Sequence, residues 1–435
     1  MTPESQDRPS WVLHRDLHRR YPVITHGSGI NLYDDAGKCY LDGSSGALVA
    51  NLGHGRHDMA AAMAEQAGQV AYAHTLTFTT PALEELAREV STLVGDSVPW
   101  YTYPTSGGSE AVETAVKLVR HIALLRGATG RHRILSFRPS YHGNSLGALA
   151  VSGDPVRQAP YRPLLGPAFV HAPPISENCS GIGADGSCPC LVGVEDTLRE
   201  YGADTFAAVI LEPVSGSARS GFTPHEGFVA SLTRLAHRNG LLVVADEVMT
   251  GFGRTGKLLA MDHHGVRPDL FTAAKGLSGG YAPMGAVIVS GALYQELLGG
   301  PGSFLNGFTY SGNPVSARVA AKALQIVRDE NLVARSADMG ARLHQGLLEL
   351  AARHPVIRRV RGRGLMQGIV LEQISGIAAR VVESAFEHGL ILYHGHGAAE
   401  GGDGEHVLIG PPLIIDVDGI HRLLDLLDQA LGSIR

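Results

Sequence analysis

Asp269-Leu-Phe-Thr-Ala-Ala-Lys275-Gly-Leu-Ser-Gly-Gly-Tyr-Ala-Pro-Met-Gly285 sets a lysine between an apolar run and a glycine-rich turn. The run reads as a buried strand. The amine therefore falls at the C-terminal end of that strand, where open α/β sheets bind ligands. An amine in a partly desolvated pocket loses its proton more readily and forms Schiff bases. The plainer reading is a lysine that packs its stem and sends the ammonium to water. The rest of the chain has to decide between the two.

Upstream, Leu241-Leu-Val-Val-Ala-Asp246-Glu-Val-Met-Thr-Gly-Phe-Gly-Arg-Thr-Gly256 delivers a carboxylate to the end of a second apolar strand. The stretch between Asp246 and Lys275 is long enough for a loop and a crossover. A carboxylate that keeps a pyridine nitrogen protonated, and a lysine that carries an aldehyde, are the pair that pyridoxal 5'-phosphate (PLP) needs. At Ala245–Gly256, and at Ala274-Lys-Gly-Leu-Ser278 with the turn that follows to Gly285, the chain resembles the class III aminotransferases, the ornithine/ω-amino-acid transaminase group. The resemblance runs from about Gly29 to near the C-terminus. It implies an α/β chain of the PLP-dependent transferase fold type I: a large domain with a mostly parallel sheet flanked by helices, plus a smaller α+β domain. It also implies a homodimer whose active site is shared between subunits.

Composition agrees with an ordinary soluble globular protein. The chain has 435 residues, 44% hydrophobic and 18% charged, which leaves room for two or three domains. A net charge of −6 without any basic run argues against nucleic acid as a partner. The N-terminus lacks the basic-then-apolar pattern of a signal peptide. No apolar run reaches the ~18 residues that suggest a membrane span, so a cytoplasmic protein is expected. Cys179, Cys188 and Cys190 crowd into one polar, glycine-rich insertion, Glu177–Cys190. A zinc site would want a fourth ligand and tighter spacing. Reduced thiols in a surface loop, with no metal, are the expectation.

Taken in order, residues 1 to about 28 read as an arm with a short helical patch near Trp11–Arg20. Ile30–Asp42 alternates around Asp-Ala-Gly and predicts a hairpin. Helical periodicity marks about 57–70 and 81–94, and later 224–239 and 314–328. Strands are expected at Ile134–Phe137, Ala207–Leu211, Leu241–Ala245, Val360–Val370 and Val407–Ile415. The alternation of strand and helix predicts a mostly parallel sheet with helices on both faces. The expected division is 1–55 as arm and part of the small domain, 56–325 as the large PLP-binding domain, and 326–435 as the C-terminal small domain.

Thr102-Tyr-Pro-Thr-Ser-Gly-Gly-Ser109 runs from a strand end through a glycine turn into a helix. Free backbone N–H groups there suit a phosphate, with Gly108 and Ser109 as contacts; a well-capped structural helix has the same pattern. The resemblance places Tyr141 on the PLP ring, Val248 against the opposite face, and Thr309 on the phosphate of the neighbouring subunit. His142 is either structural or at the ring edge. Glu212, in a Glu-Pro pair, is either a structural carboxylate or an orienting one. Gly43–Gly55 is either a connector or the lining of the substrate entrance. Leu48, Phe78 and Arg219 are the candidate substrate contacts.

The implied reaction moves an amino group between an amine or amino acid and a keto acid through a Lys275 Schiff base, with Asp246 holding the ring nitrogen. The alternative keeps PLP and diverts the carbanion to racemisation, decarboxylation, elimination or carbon–carbon bond formation. Two departures from the ornithine and γ-aminobutyrate subgroup bear on the substrate. Ser217 stands where its masking glutamate would be, and the loop His394–His406 lacks its carboxylate-binding arginine. Arg219 is the nearest cationic replacement.

Overall fold

The computed structural model describes residues 10–179, 181–183, 186–395 and 404–434. Its centre is a seven-stranded sheet. The strand order is Tyr101–Thr105, Gly285–Val289, Leu270–Ala273, Leu242–Asp246, Phe206–Leu211, Arg133–Phe137 and Phe169–Ala172. The five strands from Leu270–Ala273 to Phe169–Ala172 are parallel; only Gly285–Val289 runs against its neighbours. Strands covered by helices on both faces have no polar side, and every residue of Phe206–Leu211, Leu242–Asp246 and Leu270–Ala273 is buried. Mostly parallel order and flanking helices agree with the fold type expected from the sequence.

Two four-stranded sheets lie apart from it. In the first, the hairpin Asn31–Asp34/Cys39–Asp42 is extended by Ile24–Ser28 on one side and, in parallel, by Leu390–Ile391 on the other. In the second, Ile357–Arg363, Met366–Leu371, His406–Ile409 and Tyr393–Gly395 pair antiparallel. One apolar core joins Leu41, Leu52 and Met59 to Leu343, Ile369 and Leu423. Sequence-distant ends of the chain therefore share an interior. No helix among the described residues is long and apolar enough to cross a membrane.

Several local expectations change. The single strand Val360–Val370 is a hairpin instead, turned at Gly364. Gly364 has φ +52°, and a Cβ there would lie 2.3 Å from the carbonyl carbon of Thr255, so the turn is both left-handed and pressed on another loop. The strand that starts at His406 stops at Ile409, before Gly410 and the Pro411-Pro412 pair that cannot donate to a ladder. The helix expected at 224–239 begins only at Phe228, after Pro224 and a left-handed Gly227. Trp11–Arg20 is not helical; Trp11 is 97% exposed, and without a packed face the helix nucleation cost is not offset.

Arg254 holds these parts together. It is fully buried, and its Nη1 donates to the carbonyls of Leu365 (3.0 Å) and Pro411 while Nη2 donates to Asn51 Oδ1. Asn51 in turn sits 2.3 Å from where a Cβ on Gly276 would be, next to Lys275. Removing the guanidinium strands three acceptors, each costing about 1–3 kcal/mol when buried and unpaired. Arg254→Met is expected to lower unfolding free energy by about 3 kcal/mol, read as a shifted urea midpoint. An unchanged midpoint would show that the three carbonyl groups find other donors.

Candidate active site

Four neighbouring parallel strands each release one functional segment at the same edge of the sheet. Arg133–Phe137 leads to Tyr141 and His142, Phe206–Leu211 to Glu212, Leu242–Asp246 ends on Asp246, and Leu270–Ala273 leads to Lys275. Parallel order makes all four ends coincide, which is why residues far apart in sequence converge. Together with Gly108, Ser109 and Val248 they line one cavity of about 160 Å³. That is an order of magnitude above the ~10–15 Å³ that admits a water, so the space suits a small organic group.

Asp246 is buried and closely held. Its Oδ1 accepts from Thr272 Oγ1 (3.0 Å) and the Val248 amide (3.1 Å); its Oδ2 lies 2.7 Å from His142 Nδ1. His142 Nε2 is buried without a hydrogen-bond partner. Glu212 braces the wall: Oε2 accepts from the Tyr141 amide (3.1 Å) and Oε1 from the Gly216 amide (2.9 Å). Burial raises the Glu212 carboxyl above the usual carboxylate range, against the pull of His142. The geometry thus gives both open readings a sharper form: His142 is the partner of Asp246, and Glu212 fixes the backbone that presents Tyr141.

Lys275 adopts φ +47°, a left-handed conformation that costs a non-glycine residue of order 1–3 kcal/mol. Its amide and carbonyl belong to a tight turn, with Leu277 N donating to Ala274 O (2.9 Å) and Ser278 N to Lys275 O (3.2 Å). Burial pulls its ammonium from the usual 10.5 down to about 8, partly opposed by the charges of Asp246 and Glu212.

The helix Gly108–Leu125 starts at this cavity with no side-chain cap. Its first N–H groups are the natural place for an anion. The approach is close: a Cβ on Gly108 would stand 2.8 Å from Val248 Cγ1. Ser109 Oγ accepts from the Asn144 amide at 3.0 Å. An amine of lowered basicity, a held carboxylate, an orphaned ring nitrogen and an uncapped helix end all fit a phosphorylated pyridine aldehyde.

Other expected residues lie elsewhere. Arg219 is not a wall of the cavity. Its guanidinium lies 3.5 Å from the Phe222 ring centroid, donates to Ile175 O (2.7 Å) and approaches Glu177. Its candidacy as a substrate contact is therefore not supported by the geometry. Leu48 is buried against Val214 and Met366. Phe78 and Thr309 are exposed and line no part of this cavity. Much of the loop from His394 to His406, at 396–403, lies outside the described residues.

The sequence reading passed over two residues. Arg157 lies 4.7 Å from the Tyr141 ring centroid, donates to Asp154 Oδ2 (3.0 Å) and to Ser217 Oγ (3.1 Å). Glu247, next to Asp246, accepts from the amides of Ala260 (3.0 Å) and Met261 (2.9 Å) and from Thr250. Nothing in linear spacing distinguishes Arg157 from a surface arginine. Glu247 was visible as the second acid of the Asp-Glu pair.

The model of the family described as aminotransferase class-III matches residues 14–431. The uncharacterized aminotransferase YodT of Bacillus subtilis is 33% identical, with 98% of each chain covered. The acetylornithine aminotransferase of Corynebacterium efficiens is 34% identical, over 94% of this chain and 92% of its own. Among solved structures, a Bacillus anthracis aminotransferase superposes with a TM-score of 0.89 at 31% identity, covering 95% of this chain and 94% of its own. A PLP-bound amine transaminase from an uncultivated Pseudomonas species gives 0.87 at 29% identity, covering 99% of both.

The lowered basicity of Lys275 can be read without any substrate. Labelling of the apoprotein with an amine-selective reagent, followed by peptide mapping, should show Lys275 modification rising with pH with a midpoint near 8. A midpoint near the ordinary value of 10.5 would mean that the cavity does not desolvate the amine.

Proposed function

The chain belongs to the class III aminotransferases, a PLP-dependent family, and we propose that it moves an amino group from an amine or amino acid to a keto acid at Lys275. The observation that carries this is the single cavity onto which Lys275, the Asp246–His142 pair and the uncapped helix at Gly108 all open.

In this reading Lys275 Nζ would hold the cofactor aldehyde, Asp246 the ring nitrogen, Tyr141 and Val248 the two ring faces, and Gly108 and Ser109 the phosphate. When bound, PLP supplies an electron sink for the carbon that bears the amine. The chain supplies the rest. The neutral amine of Lys275, favoured above about pH 8 before any cofactor binds, is the group able to take and return a proton at the substrate carbon. Asp246, held by Thr272 Oγ1 and the Val248 amide with His142 beside it, would face the ring nitrogen of the cofactor as its carboxylate partner. His142 and Thr272 fix the orientation of that carboxylate, and Glu212 fixes the backbone of Tyr141. Relatives named as aminotransferases and transaminases favour transamination over racemisation, decarboxylation or elimination.

The reading includes a homodimer. Trp11, Leu13, Leu76, Phe78, Leu305 and Tyr310 are large, apolar and 63–97% exposed on the single chain, surface that a second subunit would cover. Thr309 lies beside Tyr310 on this surface, where a partner's phosphate would be within its reach in the shared site.

The substrate follows from charge. Arg219 is committed to Ile175 and Glu177, and Arg157 already faces Asp154, so neither offers the unpaired guanidinium that grips a second carboxylate. A glutamate-type donor then lacks a charge-assisted contact worth about 1.5–3 kcal/mol, or ~10- to 150-fold. Steady-state kcat/KM for glutamate should fall below that of the best amine without this carboxylate by a factor in that range, and Arg219→Ala should leave the ratio unchanged. Glutamate as best donor would overturn the substrate reading. Lys275→Ala should abolish turnover with every donor while PLP still binds weakly; a fully active alanine variant would overturn the reaction itself.

A further inference from the structure

On the far side of the central sheet from its antiparallel edge, the fold gathers Cys179, Cys188 and Cys190 with His225. One ligand atom from each lies within 4.8 Å of all the others. Linear sequence offers the three cysteines no fourth ligand, which is why plain thiols were expected there. The fold supplies one from the turn that leads into the helix Phe228–Arg238. We propose that these four residues form a structural zinc site.

Geometry comes first. Zinc bound tetrahedrally takes sulfur at about 2.3 Å and imidazole nitrogen at about 2.0–2.1 Å, which puts neighbouring ligand atoms roughly 3.5–3.8 Å apart. Cys188 Sγ and His225 Nε2 already stand 3.5 Å apart. The remaining atoms need only draw in slightly. Three segments contribute: the insertion at Cys179, the first turn of the helix Pro189–Tyr201 with Cys188 and Cys190, and the turn at His225. A metal would cross-link all three.

The surrounding groups are those a zinc site uses. His225 Nδ1 lies 3.1 Å from the carbonyl of Glu226, which places its proton on Nδ1 and turns the Nε2 lone pair toward the thiols. The Ser176 amide donates to Cys190 Sγ at 3.3 Å, as amides do to metal-bound thiolates. All three cysteines are unpaired. A disulfide would use two of them and leave the third and the histidine unexplained. Three thiolates and one imidazole are a soft, closed set that selects zinc over oxygen-seeking cations.

None of the four lines the active-site cavity. The segment they would pin carries Glu177, whose carboxylate pairs with Arg359 and Arg361 of the strand Ile357–Arg363. The site therefore secures a strap between the helices of the central sheet and the C-terminal sheet. Its role is stability, not chemistry.

Elemental analysis of the full-length enzyme purified under reducing conditions should find about one zinc per chain. Cobalt exchanged into the protein should give tetrahedral ligand-field bands in the red, clear of PLP absorbance, with thiolate charge transfer. Cys188→Ser and His225→Ala should each weaken metal binding at least 10- to 100-fold, and chelation of the wild type should lower its melting temperature reversibly. Should a variant fail to fold, the wild-type cobalt spectrum and chelation decide alone. Reduced wild type that binds neither zinc nor cobalt stoichiometrically would overturn the proposal, as would undiminished binding in both variants.

Discussion

A carboxylate buried at the end of a strand has to be matched, and much of this structure follows from how Asp246 is matched. Leaving such a charge without partners costs about 3–5 kcal/mol. Here a hydroxyl from the strand on one side, the amide two residues on and an imidazole from the segment after Arg133–Phe137 on the other side supply the match. The hydroxyl and the imidazole are available because parallel strands bring their ends to the same edge; the amide is local. The sheet order and the electrostatics of the cavity are one constraint seen at two scales.

The adjacent acid shows the same logic inverted. Glu247 turns away from the cavity into a shell of amides, and burial raises its carboxyl to about 7. Two consecutive carboxylates thus face opposite directions. One faces the cavity; the other ties down the loop at Ala260 and Met261. Lys275 adds a further cost, a left-handed backbone, which the packed turn around Gly276 and Asn51 holds in place.

Much of this was legible in the sequence because it is periodic or local. The buried strands announce themselves as apolar runs, and Lys275, Asp246 and the glycine turn at Gly108 sit at their ends. What escaped reading was non-local. The sequence reads Val360–Val370 as one strand across Gly362 and Gly364; that it doubles back shows only in the fold, where Gly364 turns against Thr255. Arg219 looked available because sequence does not show Phe222 and Ile175 closing over it. Cys179, Cys188 and Cys190 looked one ligand short because His225 reaches them only through the fold.

The buried guanidinium of Arg254 also bears on when the protein can begin to work. Its partners include the carbonyls of Leu365 and Pro411, and the N-terminal hairpin is completed by Leu390–Ile391. All three lie far downstream of Lys275. At ribosomal rates of about 5–20 residues per second, roughly 7 to 27 s separate the synthesis of Lys275 from that of Pro411. During that interval the nascent chain holds its reactive amine near an arginine that has Asn51 but still lacks its two downstream carbonyls. Every residue lining the cavity is made by the time Lys275 is, while the tie that locks the Arg254 loop to the C-terminal sheet waits for Pro411, and a chain truncated before it would lack that lock.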